Sequence, residues 1–196
     1  MSDVFPVFLK LAGRRVVVVG GGPVASSKLE ALVHAGAHIV VVAPDVVPAV
    51  EEAPVVVERR PFRPEDLDGA WFAVAAAPPA VNRQVAEAAE ARGVFVNAVD
   101  DMAHATAYLG GVVRREGVTL AISTDGQAPA LAGLLREALD AVLPLELDAW
   151  MATARRARTE WKAAGVPMEA RRPLLLSALN RLYESRGTGA AREVVS

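Results

Sequence analysis

VVVVGGGPVA, residues 16–25, is the stretch whose reading decides the fold. Four consecutive β-branched residues, Val16 to Val19, are too few and too uniformly apolar for an amphipathic helix. They read as a strand buried on both faces, the pattern of a central parallel strand. Gly20, Gly22 and Ala25 then give G-x-G-x-x-A, and Ser26 to Ala35 has the composition and spacing of a helix. In such a turn Gly20 permits the tight bend, Gly22 lets backbone N–H groups approach a pyrophosphate that a Cβ would fend off, and Ala25 keeps helix and strand close. The helix N-terminus adds unpaired N–H groups and a favourable dipole. A glycine-rich turn in an ordinary α/β domain would look similar. The weight therefore rests on order, because strand, turn and helix follow one another as a dinucleotide site requires.

Working outward, Gly36 supplies a helix C-cap and His38 to Val42 forms a second buried strand, ending at Ala43-Pro44-Asp45. In a βαβ unit of this kind an acidic residue about 20 positions past the glycines binds the adenosine ribose, and Asp45 stands in that place. No arginine beside it offers to receive a 2′-phosphate, which favours NAD over NADP. Asp45 also suits a cap for the short segment after it, and the sequence leaves the two roles open. Val55 to Arg60 reads as a third strand, Pro61 to Ala70 as a loop with a helical turn, and Trp71 to Ala75 as a fourth strand. Pro78-Pro79 precede a helix over Ala80 to Ala91, and Val94 to Val99 is a fifth strand ending at Asp100-Asp101. The expected fold is α/β, a Rossmann-like, doubly wound parallel sheet with ligands beyond the carboxyl ends of its strands. Gly20, Asp45, Ala76 and Asp100 fall at such ends. Phe5 to Leu11 reads as an edge segment before the first strand.

Past Asp101 the pattern changes. Ala107 to Arg114 and Val118 to Ser123 flank a short Arg-Glu-Gly turn, an antiparallel hairpin that either extends the sheet or starts a second one. Asp125 to Pro129 starts a helix with Leu131, Leu134, Leu135, Leu139 and Val142 on one face, stopped by Pro144. A second helix carries Leu147, Trp150, Met151, Ala154 and Trp161 on one side, a third runs from about Pro173 to Tyr183, and Gly187 to Ser196 reads as a frayed tail. The division expected is residues 1–106 for the dinucleotide-binding domain, 107–143 for a hairpin and helix that dimerise, and 144–196 for a small helical domain. An apolar hairpin followed by amphipathic helices too few to bury their own faces is what points to a homodimer.

Composition narrows the function. No apolar run reaches the roughly 18 residues of a membrane span, and MSDVFPVFLK lacks the parts of a secretory signal, so a cytoplasmic protein is expected. The absence of cysteine excludes disulfides, thiolate zinc sites and Fe–S clusters, leaving only carboxylates, histidines or a ligand's own groups for any metal. A net charge of −2 gives no general attraction to nucleic acid.

Among residues able to do chemistry, Asp100 comes first, since a carboxylate at the end of a parallel strand can reach a ligand lying against a nicotinamide. General base catalysis, metal contact and a plain turn role are all open to it. His104 lies four residues on, but one histidine without a second at matching spacing is not a metal site, and no tightly held metal is expected. Gly126 to Pro129, a glycine-containing helix start that includes Ala128, has free N–H groups suited to a carboxylate, or is simply a capped helix.

The N-terminal FPVFLKLAGRRVVVVGGGPVASSK, the NAVD of Asn97 to Asp100 and the STDGQAPALAGLLRE of Ser123 to Glu137 together resemble the precorrin-2 dehydrogenase family, the N-terminal module of siroheme synthases. The likeness runs in order over nearly the whole chain. It implies an NAD-binding domain, a dimerisation region and a small helical domain in an intertwined homodimer that oxidises precorrin-2 to sirohydrochlorin, with Fe²⁺ insertion added in some members. By that resemblance Gly20, Gly22, Pro23 and Val24 match the pyrophosphate loop, Pro44-Asp45 the ribose segment, and Asp100 the aspartate implicated in both reactions. Three departures stand out. Ala75-Ala76-Ala77-Pro78-Pro79 replaces a family A-A-T-D-D, leaving only a backbone approach at Ala76; Asp101-Met102 follows Asp100 in place of a small residue and proline; and Ala128 stands where relatives carry a serine. The methyltransferase module of larger siroheme synthases is not in the sequence, so precorrin-2 is expected to be made elsewhere. A polycarboxylate substrate would give Gly126, Ala128 and some of the arginines an anion to meet. The reading from another class is a non-catalytic NAD(H)-sensing module, against which stands the lack of a basic recognition helix.

Overall fold

The computed structural model describes residues 4–190. The chain forms two compact units, one running to Gly110 and including Ser123–Ala128, the other made of Gly111–Ile122 and the chain from Pro129 onward.

The first unit is built on five parallel strands. β1 (Arg15–Val19), β2 (His38–Val42), β3 (Val56–Glu58), β4 (Phe72–Ala75) and β5 (Phe95–Ala98) lie in the order β3-β2-β1-β4-β5. The order reverses between β1 and β4, so the glycine turn after β1 stands at the topological switch point where ligands of such sheets bind. The reason four valines can follow one another is the two-residue period of a strand. Val16 and Val18 pack with Leu29 and Leu32 of α1 (Pro23–His34), while Val17 and Val19 pack on the other face with Val85 and Ala89 of α3 (Pro79–Glu90). All four valines are essentially fully buried, each worth about 1.5–3 kcal/mol relative to exposure. β3 is shorter than its sequence suggests, because an edge strand with Val56 half exposed has little apolar surface to hold it. A four-residue helix, α2 (Pro48–Glu51), precedes it, and a 3-10 turn (Pro64–Leu67) precedes β4.

Phe5 to Leu11 forms no strand. Phe5 and Phe8 are 85% and 71% exposed and only Leu11 enters the core, so the expected edge segment is an open arm anchored at its last residue.

The second unit opens with β6 (Gly111–Arg115) and β7 (Val118–Ile122), a two-stranded antiparallel sheet of its own and no extension of the first. Glu116 and Gly117 both adopt positive φ, 49° and 81°, as a two-residue hairpin turn matched to strand twist demands. The strand begins at Gly111, four residues later than the sequence suggested, and α4 (Pro129–Val142) lies so close that a Cβ at Gly111 would sit 2.9 Å from the Ala132 carbonyl oxygen. The Arg115 guanidinium donates to the carboxylate and carbonyl of Asp140 at 2.6 and 2.8 Å, and to the carbonyl of Leu143 at 3.2 Å, capping the carbonyl end of α4. α4 therefore buries Ala132 and leaves Leu131, Leu134, Leu135 and Val142 exposed.

α5 (Leu147–Ala163) packs on α6 (Met168–Ala190), with the Trp150 indole N–H donating to Tyr183 Oη at 2.9 Å. On α5 Leu147 is buried and Trp150, Met151, Ala154 and Trp161 are half-buried, with Thr153 and Ala157 buried beside them, so the expected stripe faces inward together with two smaller residues. α6 starts at Met168, five residues before the expected Pro173, which it contains, and continues to Ala190. The frayed tail expected over Gly187 to Ser196 thus falls partly on helix, and its last six positions lie outside the described residues. Among the described residues no helix is long and apolar enough to cross a membrane.

Candidate functional site: the carboxyl end of the parallel sheet

The turn after β1 is held from both sides by neighbouring loops. Gly20 has φ +118°, and a Cβ there would lie 2.2 Å from the Ala76 carbonyl oxygen. Gly21, which the sequence reading passed over, is held as tightly: a Cβ would come within 2.1 Å of the Asp45 carbonyl oxygen and 2.7 Å of a Val46 methyl. Its carbonyl accepts the Val47 N–H at 2.8 Å. Gly22 behaves differently. Nothing lies within 4 Å of the Cβ it lacks, it is the N-cap of α1, and no side chain caps the helix. Pro23 at N1 has no N–H to offer, and the first helical bond runs from Ser26 to Gly22. The N–H groups of Gly22, Val24 and Ala25 precede that bond and have no intrahelical acceptor, an arrangement suited to a pyrophosphate. The cradle thus divides its glycines, two packed against protein and one open.

Pro44 and Asp45 are exposed beyond β2, with the Asp45 backbone against Gly21. Ala76 is partly buried beyond β4, under Gly20. Next to it, the Ala77 N–H donates to Asn82 Oδ1 at 2.9 Å, a contact that no sequence pattern announced.

Asp100 lies beyond β5 at φ 57° with its side chain in solvent. The loop it opens is stapled to the edge of β5. Thr106 Oγ1 accepts the Val96 N–H at 2.8 Å, Val96 O accepts the N–H groups of Thr106 and Ala107, and the buried Asn97 amide donates to Ala107 O at 3.0 Å. Inside the loop His104 Nδ1 meets the two Asp101 carboxylate oxygens at 2.8 and 2.9 Å, and this hydrogen bond holds the Asp101 carboxyl below its ordinary range. Asp101 is thereby committed to His104, leaving Asp100 as the carboxylate facing outward.

The Ser123–Ala128 turn comes back to this loop. Gly126, at φ +74°, packs so that a Cβ would lie 3.1 and 3.3 Å from Met102 Cγ and Sδ, with Tyr108 at 3.5 Å. Two donors of the proposed anion site are already engaged: Gln127 N–H bonds Thr124 O at 2.8 Å and Ala128 N–H bonds Thr124 Oγ1 at 3.3 Å. Thr124 therefore closes the turn, and Ala128 has no free N–H to offer an anion. Among the described residues no group of three or more His, Asp or Glu is placed to hold a metal ion.

The carboxyl end of the sheet thus gathers an open helix N-terminus, an exposed aspartate past β2, a carbonyl-lined loop past β4 and an exposed aspartate past β5. The chain as a whole is similar to known proteins. The chain is 37% identical over 183 residues to a siroheme synthase of Photorhabdus laumondii, covering 91% of this chain and 39% of that protein. It is also 37% identical over 199 residues to a siroheme synthase of Citrobacter koseri, covering 98% and 44%. The chain spans about two fifths of the length of the curated relatives it matches. Among solved structures, SirC, a precorrin-2 dehydrogenase, superposes with a TM-score of 0.69 at 28% identity, covering 89% of this chain and 88% of that one. The family model described as "Putative NAD(P)-binding" matches residues 7–111, more than half of the chain and every strand of the parallel sheet, and the chain belongs to that family.

Proposed function

We propose that the chain is a cytoplasmic, homodimeric, NAD-dependent dehydrogenase that oxidises precorrin-2 to sirohydrochlorin. The observation that carries the reading is coverage. SirC, the precorrin-2 dehydrogenase, is matched over nearly its whole length, whereas siroheme synthases are matched over a part only. The division into a cofactor domain over residues 1–106, a dimerising segment over 107–143 and a helical domain over 144–196 belongs to this proposal.

The cofactor fits the residues present, because Gly22 leaves open space before an uncapped helix. Gly20, Gly22, Pro23 and Val24 form its pyrophosphate cradle, Pro44 and Asp45 flank the ribose, and Ala76 approaches through its backbone. Bound NAD⁺ supplies the hydride acceptor. The oxidation also removes a proton, and Asp100 takes it: its carboxylate is exposed and, among the described residues, has no side-chain hydrogen-bond partner such as Asp101 has in His104. Gly126 and Ala128 shape the wall beside it, and arginines meet the substrate's carboxylates. Anaerobic mixing with precorrin-2 and NAD⁺ tests the reading. NADH absorbance should rise as the tetrapyrrole spectrum changes, and a flat trace in both sinks it.

Some members of the family resembled also insert Fe²⁺; if this chain does so, the metal is a second substrate taken by the macrocycle's own four nitrogens, and Asp100 would accept the pyrrole protons. His104→Ala should then lower Fe²⁺ insertion into sirohydrochlorin and leave NADH formation unchanged. Equal loss in both assays would give His104 another role.

A further inference from the structure

The five residues Ala75-Ala76-Ala77-Pro78-Pro79 carry no side-chain hydrogen-bonding group, yet their loop forms the floor against which the phosphate turn packs. The Ala76 carbonyl lies where a Gly20 Cβ would be, 2.2 Å from it. An orientation that exact needs something to hold it, since a peptide rotated about its neighbours would either strike Gly20 or withdraw from it. The ladder bond from Ala76 N–H to Val19 O at 2.8 Å fixes one side of the residue. The other side is the Ala76–Ala77 peptide, and its N–H is the one received by Asn82.

The reason for asparagine at position 82 follows from the prolines. In a capping box, the side chain three residues into a helix accepts the backbone N–H of the N-cap residue. Here the N-cap of α3 is Pro78 and the first helical residue is Pro79, and neither has an N–H. The reciprocal bond is displaced outward by one residue at each end, from Ala77 N–H to Asn82 Oδ1, 2.9 Å. Asn82 is only 5% exposed, and asparagine is a poor helix former that α3 has no reason to bury except for such a bond.

We infer that Asn82 is a positioning residue of the dinucleotide site: from inside α3 it fixes the Ala76–Ala77 peptide on which Gly20 of the pyrophosphate turn rests. The inference depends on reading the Gly20–Gly22 turn as the pyrophosphate site, and it makes no use of the tetrapyrrole. It predicts that NAD⁺ affinity responds to a side chain that is buried under the loop and does not itself belong to the open cradle.

Isothermal titration of NAD⁺ into the full chain, without tetrapyrrole, separates positioning from folding. Partial unfolding lowers the number of sites per chain, whereas loss of positioning raises Kd at unchanged stoichiometry. Asn82→Ala should weaken NAD⁺ about tenfold, the expectation for one lost buried hydrogen bond. Asn82→Asp, which keeps an acceptor at the same reach, should remain within about threefold of wild type by the same argument. If Asn82→Ala gives no folded protein by circular dichroism, Asn82→Ser, too short to reach Ala77, takes its place with the same expected loss. A folded Ala or Ser variant that binds NAD⁺ with wild-type Kd overturns the inference, as does an Asp variant no better than Ala. Wild-type protein that fails to bind NAD⁺ overturns the reading of the turn and the inference together.

Discussion

Asp100 combines two properties that meet at few non-glycine residues, a left-handed backbone (φ 57°) and a carboxylate in solvent at a strand end. Asparagine tolerates that backbone as well as aspartate does, so Asp100→Asn isolates the charge from the conformation. It should keep fold and NAD⁺ affinity and lower dehydrogenase turnover by about 100-fold or more, the usual contribution of a positioned proton acceptor. Steady-state NADH formation checks this; full turnover in the variant would leave binding geometry alone to carry the oxidation. Gly20 makes the opposite case, in which conformation and contact matter and chemistry does not. Gly20→Ala adds a methyl 2.2 Å from the Ala76 carbonyl oxygen at φ +118°. The combined strain and overpacking should cost roughly 2–5 kcal/mol in urea denaturation. Gly22→Ala, with open space around it, should unfold close to wild type and lose NAD⁺ affinity instead.

At the scale of elements, two ion-paired arginines tie neighbouring segments together. The 3-10 turn before β4 depends on Asp66, whose carboxylate accepts both Arg60 guanidinium nitrogens at 2.6 and 2.9 Å and the Arg63 N–H at 2.8 Å. Burial pushes the Asp66 carboxyl up, but the Arg60 and Arg63 hydrogen bonds outweigh it and hold the group below its ordinary range, while Arg60 is raised in turn by Asp66 and then Glu58. A carboxylate whose pKa is lower folded than unfolded stabilises fully above the unfolded value, about 4, and loses that contribution as pH falls through the folded one. Acid denaturation should accordingly steepen below about pH 4, and Asp66→Asn should make that limb shallower while lowering neutral-pH stability by roughly 1–3 kcal/mol. An acid limb identical to wild type would contradict this. Arg115 plays the corresponding part in the second unit by capping α4 from β6.

For the whole molecule, the exposed face of α4 is the feature to explain. Leu134 and Val142 are 64% and 73% exposed, with Leu131 and Leu135 beside them. The inner side of the helix is taken up by close packing on Gly111. A continuous apolar stripe of this kind marks an association surface, and the homodimer proposed above would cover it. Light scattering at micromolar concentration should therefore return a mass near twice 20.6 kDa. Leu134→Glu should shift that mass toward the single chain without unfolding the parallel sheet. A wild-type mass near 20.6 kDa would refute the dimer.

What the sequence by itself determined is the succession of strands along the chain and their parallel type, the glycine turn after the first of them, the hairpin and the start of α4; the spatial order that puts this turn at the switch point came from the sheet. These follow from local regularities: β-branched runs, glycine and proline punctuation, and the spacing of apolar residues along a few turns. Asp100 and Asp45 were legible for the same reason, as polar residues at the ends of buried strands. Only the tertiary structure decided which glycine touches protein and which stays open, because Gly20 meets Ala76 and Gly21 meets Asp45 across long stretches of chain. It alone showed Asp101 bound to His104, Thr124 occupying the Ala128 N–H, Met102 against Gly126, and Asn82 beneath the Ala76 loop. The leucines of α4 were legible as a stripe, and as one that so few helices could not cover, but which of them stay exposed was decided only by the packing of α4 on Gly111, since periodicity states which residues share a face and is silent on what that face meets.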